Sequence, residues 1–196
     1  AACAVMALWP APAESGARQW LVAALGIVWA LRLGTYVAVR VAGSHEDARY
    51  GHLKATWGAA FHRRLFGFVL VQAPATALMT LSVYVAAHEG GAALGWRDAL
   101  GAAVLVAAIA GEGIADEQMR RFKARANHGP IMDEGLWGWS RHPNYFFEWL
   151  GWLAYPAIAF DVAAPLTWLT WLAPLLMYVI LRYGTGVPAL EGSMLR

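Results

Sequence analysis

The chain has 196 residues, of which 59% are hydrophobic and 14% charged. Soluble domains carry roughly 45–50% apolar and about 25% charged residues, so the composition points away from a soluble enzyme and toward a polytopic membrane protein. The formal charge of +2 says little by itself, and the single cysteine, Cys3, excludes an intrachain disulfide and a cysteine-based metal site.

In chain order, Ala1–Pro10 reads as the tail of a membrane span. Apolar runs then follow at about Trp20–Val41, Leu65–Ala87, Ala99–Ala115, Tyr145–Phe160 and Leu166–Tyr183. A crossing helix needs about 20 apolar residues, so the third and fourth runs are short, and the fourth is expected to begin in a re-entrant turn. Backbone groups in lipid must be satisfied within helices or a closed barrel, and these runs are too long and uninterrupted for barrel strands. The expected fold is therefore an all-α integral membrane helix bundle, a single domain over residues 1–196. The missing starting Met and the abrupt end at Arg196 are read as trimming at both ends.

Charge sets the expected orientation. Arg40 at the end of the first run is followed, before the second, by Arg49, Lys54, Arg63 and Arg64, and the segment between the third and fourth holds Arg120, Arg121, Lys123, Arg125 and Arg141. Arg182 lies at the end of the last run and Arg196 beyond it, whereas the opposite side has Arg18 and Arg97. By the positive-inside rule the first group of loops is cytoplasmic.

Several ionisable residues sit where lipid makes them costly. Arg32 lies inside the first run, where it either snorkels or pairs with Glu112. Glu112 and Asp116, four apart, share a helical face, and their like charges repel unless a partner or a proton intervenes. Arg32 or Arg141 is the expected partner. Arg120, Arg121, Lys123 and Arg125 form a basic segment that suits either lipid phosphates or a phosphorylated ligand. Arg141, His142, Asn144, Tyr145 and Glu148 crowd the mouth of the fourth run. Pro143 is expected to bend the backbone before a helix that starts near Asn144, which puts Asn144 and Glu148 on one face.

Other chemistries lack their signatures. The six histidines, His45, His52, His62, His88, His128 and His142, show no paired metal-ligand spacing on one helix. No Gly-x-Ser-x-Gly elbow and no Gly-x-Gly-x-x-Gly after a strand pattern is present. No nucleic-acid partner and no metal are expected.

Several stretches together resemble the steroid 5-alpha-reductase and sterol reductase superfamily, in particular its bacterial steroid 5-alpha-reductase-like membrane branch. They are Trp29-Ala-Leu-Arg-Leu-Gly34, Glu46-Asp-Ala-Arg-Tyr50, Gly113 to Lys123, Gly135-Leu-Trp with Arg141-His-Pro-Asn-Tyr145, and Gly186-Val-Pro-Ala-Leu-Glu191. The resemblance implies a membrane reductase with a cytoplasm-facing cofactor cavity. It would use NADPH to reduce a carbon–carbon double bond of a lipophilic, sterol-like or enone substrate. It further implies that Asp116, Arg120, Arg121, Lys123, Trp139, Arg141, His142, Asn144, Tyr145 and Glu148 bind cofactor. Lys123 is the best-matched phosphate ligand, and Asn144 and Glu148 lie at the nicotinamide end. Hydride transfer to an enone needs a proton donor near the oxygen. Tyr145 is the first candidate for that role, with His142 and Tyr50 behind it, and Glu148 also belongs to the expected catalytic set.

The sequence departs from the family pattern in two places. Phe147 stands where a Gly usually precedes the Glu. In Gln72-Ala-Pro74, Ala73 stands where 5-alpha-reductases have a Glu. The superfamily also contains isoprenylcysteine-type methyltransferases that use S-adenosylmethionine, and this is one alternative; a non-catalytic lipid-binding membrane protein is another.

Overall fold

A computed structural model describes residues 7, 16–42, 54, 56–89, 93–125, 129 and 131–184. The described residues are helices and connecting turns. α1 covers Ala17–Ala42 and α2 covers Phe61–His88, entered through a 3-10 turn at Gly58–Ala60. α3 covers Trp96–Ala124. A 3-10 turn at Gly135–Gly138 precedes α4 (Pro143–Trp152) and α5 (Ala154–Ala159). A longer 3-10 segment, Pro165–Trp171, runs into α6 (Leu172–Tyr183). Four stretches are long and apolar enough to cross a membrane, Ala17–Val39, Gly58–His88, Trp96–Ala124 and Pro165–Tyr183. The protein is an all-helical integral membrane protein.

Two expected spans change shape. The third does not stop at Ala115 but continues as helix to Ala124. Hydropathy falls where Asp116 begins, yet the residues from there on are helix formers, and Glu117 ties Arg120 and Arg121 one turn on. The fourth, expected as one run from Tyr145, is broken at Leu153 into α4 and α5 of 10 and 6 residues. Pro156 explains the break. It has no N–H for the Trp152 carbonyl, and its ring crowds that turn. The start of this span matches expectation, since Pro143 occupies the first turn of α4.

The broken pair nevertheless lies along α3, antiparallel to it. The space beside Gly111 is taken by Phe147, and the space beside Gly101 by Ile158 and the Ala154 carbonyl. Small residues on α3 allow this close approach. At the far end of the pair, Arg97 donates to the Phe160 carbonyl at 2.8 Å.

Burial concentrates at that end. Val22, Val83, Ala86, Tyr155, Ile158 and Ala173 form a continuous core where α1 begins, α2 ends and α5 and α6 meet. Ala7 belongs to the same core. Ser82 on α2 donates to the Leu169 carbonyl at 3.0 Å and accepts the Ala173 N–H at 3.1 Å. It thereby fixes the switch from 3-10 to α geometry that begins α6. Arg18 is 6% exposed and Asp98 is 1% exposed, and they form a bidentate pair at 2.6 and 2.9 Å. Asp98 also accepts the Gly95 N–H at 2.7 Å, so it caps α3 while it holds α1.

Candidate functional site

The site is built at the opposite end of the bundle, from α1, α3 and α4. Trp29 and Arg32 are one turn apart on α1 and face the same way. Arg32 reaches α3, where it pairs with both Glu112 and Asp116. Its guanidinium also lies 5.4 Å from the Tyr36 ring centroid. The expected Arg32–Glu112 pairing is thus present, and Asp116 joins it.

Glu148 projects from α4 into the same region. One carboxylate oxygen accepts the Trp152 indole N–H at 3.0 Å, and the other accepts the Trp29 indole N–H at 3.3 Å. Trp152 stands one helical turn after Glu148, whereas Trp29 arrives from α1. The two indoles meet edge to face with centroids 5.8 Å apart. Beside them is a cavity of about 10 Å³ lined by Trp29, Leu105, Glu148, Gly151, Trp152 and Tyr155. A volume of this size is about one water molecule's worth.

Phe147 has a compensating partner. Its ring fills the notch at Gly111, where a Cβ would lie 2.3 to 2.5 Å from the ring carbons. The larger residue at 147 is accommodated by the absence of a side chain at 111, next to Glu112. α4 therefore keeps close contact with α3 instead of being pushed off it.

The turn that leads into α4 is anchored to α3. The Trp137 indole N–H donates to the Ala115 carbonyl at 3.0 Å, and the Leu136 N–H donates to the Gln118 side chain at 3.1 Å. Gly135 has φ +58°, a conformation that favours glycine, and a Cβ there would also press on the Gln118 amide at 2.5 Å. The His142 N–H donates to the Ser140 hydroxyl at 3.2 Å, and the His142 ring stacks on Tyr145 with centroids 5.5 Å apart. Asn144 is half-buried on the first turn of α4, and Arg141 is exposed beside it.

The basic residues lie on the outer end of α3. Arg120 and Arg121 are exposed and share Glu117, each with a contact at 2.6 Å. Arg125 pairs with Glu134 at 2.6 and 2.8 Å across the loop. The Arg125 guanidinium hydrogen-bonded to Glu134 holds that carboxyl below the usual glutamate range. Lys123 is exposed, and Trp139 is 94% exposed.

Of the residues expected from sequence, Asp116 and Glu148 enter the inner polar cluster with Glu112, and His142 and Tyr145 stack on each other. Arg120, Arg121, Lys123, Trp139 and Arg141 are on the surface. Asp116 is engaged by Arg32. Tyr50 lies outside the described residues, as do the Glu46–Tyr50 and Gly186–Glu191 stretches. Among the described residues no group of three or more His, Cys, Asp or Glu could hold a metal ion. Sequence reasoning missed Trp152 and Tyr155 as neighbours of Glu148. The i,i+4 spacing of Glu148 and Trp152 was a usable signal for the first.

An all-helical membrane protein with a polar cluster buried between its helices is the class these features define. The family model described as "Protein of unknown function (DUF1295)" matches residues 1–196, and the chain belongs to that family. No curated protein and no solved structure matches it.

Proposed function

We propose that the protein is an NADPH-dependent reductase of the steroid 5-alpha-reductase-like kind, acting on a carbon–carbon double bond of a lipophilic substrate. One observation carries this reading. A surface of guanidinium and ammonium groups on the end of α3 adjoins a turn bearing Arg141, His142 and Asn144, and that turn leads inward to the Glu148 carboxylate. This ordering of cations outside and amide-binding groups inside suits a dinucleotide inserted nicotinamide first. The resemblance of the same stretches to the reductase superfamily adds to it. The Lys and Arg distribution favours a cytoplasmic position for this end, which is the side where a soluble nucleotide is found.

The donor set fits the cofactor's chemistry at both ends. Arg120 and Arg121 share one carboxylate, which leaves guanidinium N–H groups for phosphate oxygens, with Lys123 and Arg141 beside them. Trp139, exposed on the adjoining turn, offers a face for a base to stack on. Asn144 can both donate to and accept from a carboxamide, and each Glu148 oxygen keeps a second acceptor site for an amide N–H. At the inner end the space itself is filled by the Trp29 indole.

NADPH, when bound, supplies the hydride. The chain's own residues orient, exclude water and deliver the proton. In this reading Tyr145 and His142, stacked on each other, hold a proton toward the developing enolate oxygen. Leu105, Gly151 and the tryptophans keep the inner cavity apolar. Membrane lipid surrounds the bundle and is the medium from which the substrate arrives.

Fluorescence transfer from the protein's tryptophans to NADPH tests the reading. Binding is expected, and Lys123→Ala and Arg141→Ala should each weaken it by about 1–3 kcal/mol, the scale of a lost hydrogen bond to a charged group. Glu148→Gln should mainly slow hydride transfer while the adenosine half still binds. Absence of NADPH binding together with binding of S-adenosylmethionine would overturn the assignment in favour of a methyltransferase.

A further inference from the structure

Glu148 is surrounded by walls of unequal firmness. Trp152 lies on the same helix as Glu148, is 6% exposed and is held in the core. The floor is equally fixed, because a Cβ on Gly151 would already stand 3.3 Å from Leu105. Phe147 is seated in the Gly111 notch on the neighbouring face. Trp29 differs from Trp152 and Gly151, although it packs against the edge of the same core. Of the residues lining the cavity it alone comes from α1, and it is only partly buried. Its hydrogen bond to Glu148, at 3.3 Å, is longer than that of Trp152 at 3.0 Å. Its neighbours Val28 and Leu31 are exposed on the outer face of α1, where a membrane protein meets lipid. Arg32, one turn on, is clamped to Glu112 and Asp116, so a turn of the indole needs no movement of the helix.

The cavity of about 10 Å³ does not admit a ring. Rotation of the Trp29 indole away from Glu148 would vacate a ring-sized space and free one carboxylate oxygen. We propose that Trp29 is the gate of a ligand pocket centred on Glu148, and that the ligand is a planar ring bearing an amide N–H donor. That ring takes over the volume and the hydrogen bond of the indole. The inference deepens the reductase reading, in which the ring is the nicotinamide of the cofactor. The gate itself stands on the packing around Glu148.

The test uses the full chain in nanodiscs and follows modification of Glu148 by dicyclohexylcarbodiimide with mass spectrometry. Trp29→Ala should label Glu148 at least about tenfold faster than the unmodified protein, as expected when a minor open state becomes the main one. Equal rates overturn the gate. If Trp29→Ala fails to fold, Trp29→Phe serves, since it removes the N–H and part of the plug. It should label faster than the unmodified protein, and no acceleration overturns the gate as well. Nicotinamide should then protect Glu148 in the accelerated variant, whereas N,N-diethylnicotinamide, which lacks the amide N–H, should not. Equal protection by both, or by neither, overturns the proposed ligand chemistry. Protection by nicotinamide with none by NADPH would support the gate and its ligand class while refuting the reductase reading.

Discussion

Each end of the bundle is organised around one arginine on α1, and the two solve the same electrostatic problem differently. Arg18 meets a single carboxylate, Asp98, and its remaining donors reach the carbonyls of Glu89 at 2.8 Å and Ala93 at 3.4 Å. Asp98 is satisfied in turn by Arg18 and the Gly95 N–H. Charge and hydrogen bonds match there, and the apolar core closes around the pair. Arg32 faces Glu112 and Asp116, and Glu148 stands beyond them on two indole N–H groups. In this inner cluster three carboxyls face one guanidinium, and a small cavity adjoins it. A matched buried pair is a structural fastening. An unmatched cluster held in place by tryptophans has capacity for something else, which is why chemistry is assigned to the second end and not to the first.

The largest expected effect separates the two arginines. Arg18→Ala leaves Asp98 buried without its counter-charge and removes the tie between α1 and the start of α3. Breaking a buried pair of this kind costs about 3–5 kcal/mol. Arg32→Ala should cost less, about 1–3 kcal/mol, because Glu112 and Asp116 have side chains 11% exposed against 2% for Asp98, and water can reach them. Thermal unfolding in one detergent would rank the two variants. A larger loss from Arg32→Ala would break the distinction between fastening and site.

The α3 glycines sharpen the same comparison at a smaller scale. An added methyl at Gly101 would meet Ile158 at 2.3 Å and the Ala154 carbonyl oxygen at 2.7 Å. At Gly111 the three atoms it would come nearest to all belong to the Phe147 ring. Backbone does not move aside as a side chain can. Overpacking costs about 1–3 kcal/mol, and Gly101→Ala should fall at the upper part of that range and Gly111→Ala at the lower. Phe147→Ala should rescue Gly111→Ala, as read by the midpoints of the single and double variants. No shortening of Ile158 should fully rescue Gly101→Ala, because the carbonyl clash remains.

What could be read from sequence follows the range over which each interaction acts. The helical runs, the start of α4 at Pro143 and the pairing of Arg32 with Glu112 were legible, because periodicity, proline geometry and charge neutrality act locally or oblige a partner. The continuation of α3 past Ala115 was not legible from hydropathy, since a membrane run ends where charges begin but a helix does not. The break at Leu153 was written in Pro156, whose effect falls on the preceding turn. Phe147 was visible as a departure from the family pattern. Gly111, which makes room for it, becomes meaningful only once the register of α4 against α3 is known. The same holds for Trp29 and Glu148, 119 positions apart. Trp29 lay within a motif, but nothing local told which side chain its indole would meet.

The smallest expected effect lies on the surface beside the site, where Arg125 closes the loop onto Glu134. Both side chains are exposed, so solvent and salt screen the pair and its contribution to stability is slight. Its signature is in the titration of Glu134. The folded carboxyl ionises at lower pH than in the unfolded chain, because the guanidinium hydrogen-bonds and attracts the charged form. By linkage, the stabilisation is fully present above the unfolded value and disappears as acidification carries the pH down through the lowered one. Carboxyl NMR on the protein should therefore find Glu134 titrating below the ordinary glutamate range. Arg125→Ala should return it to that range, and raised salt should move it part of the way. An unchanged titration in Arg125→Ala would mean that the contact does not persist in solution. Arg125 would then join Arg120, Arg121, Lys123 and Arg141 as a fifth cation available to phosphate.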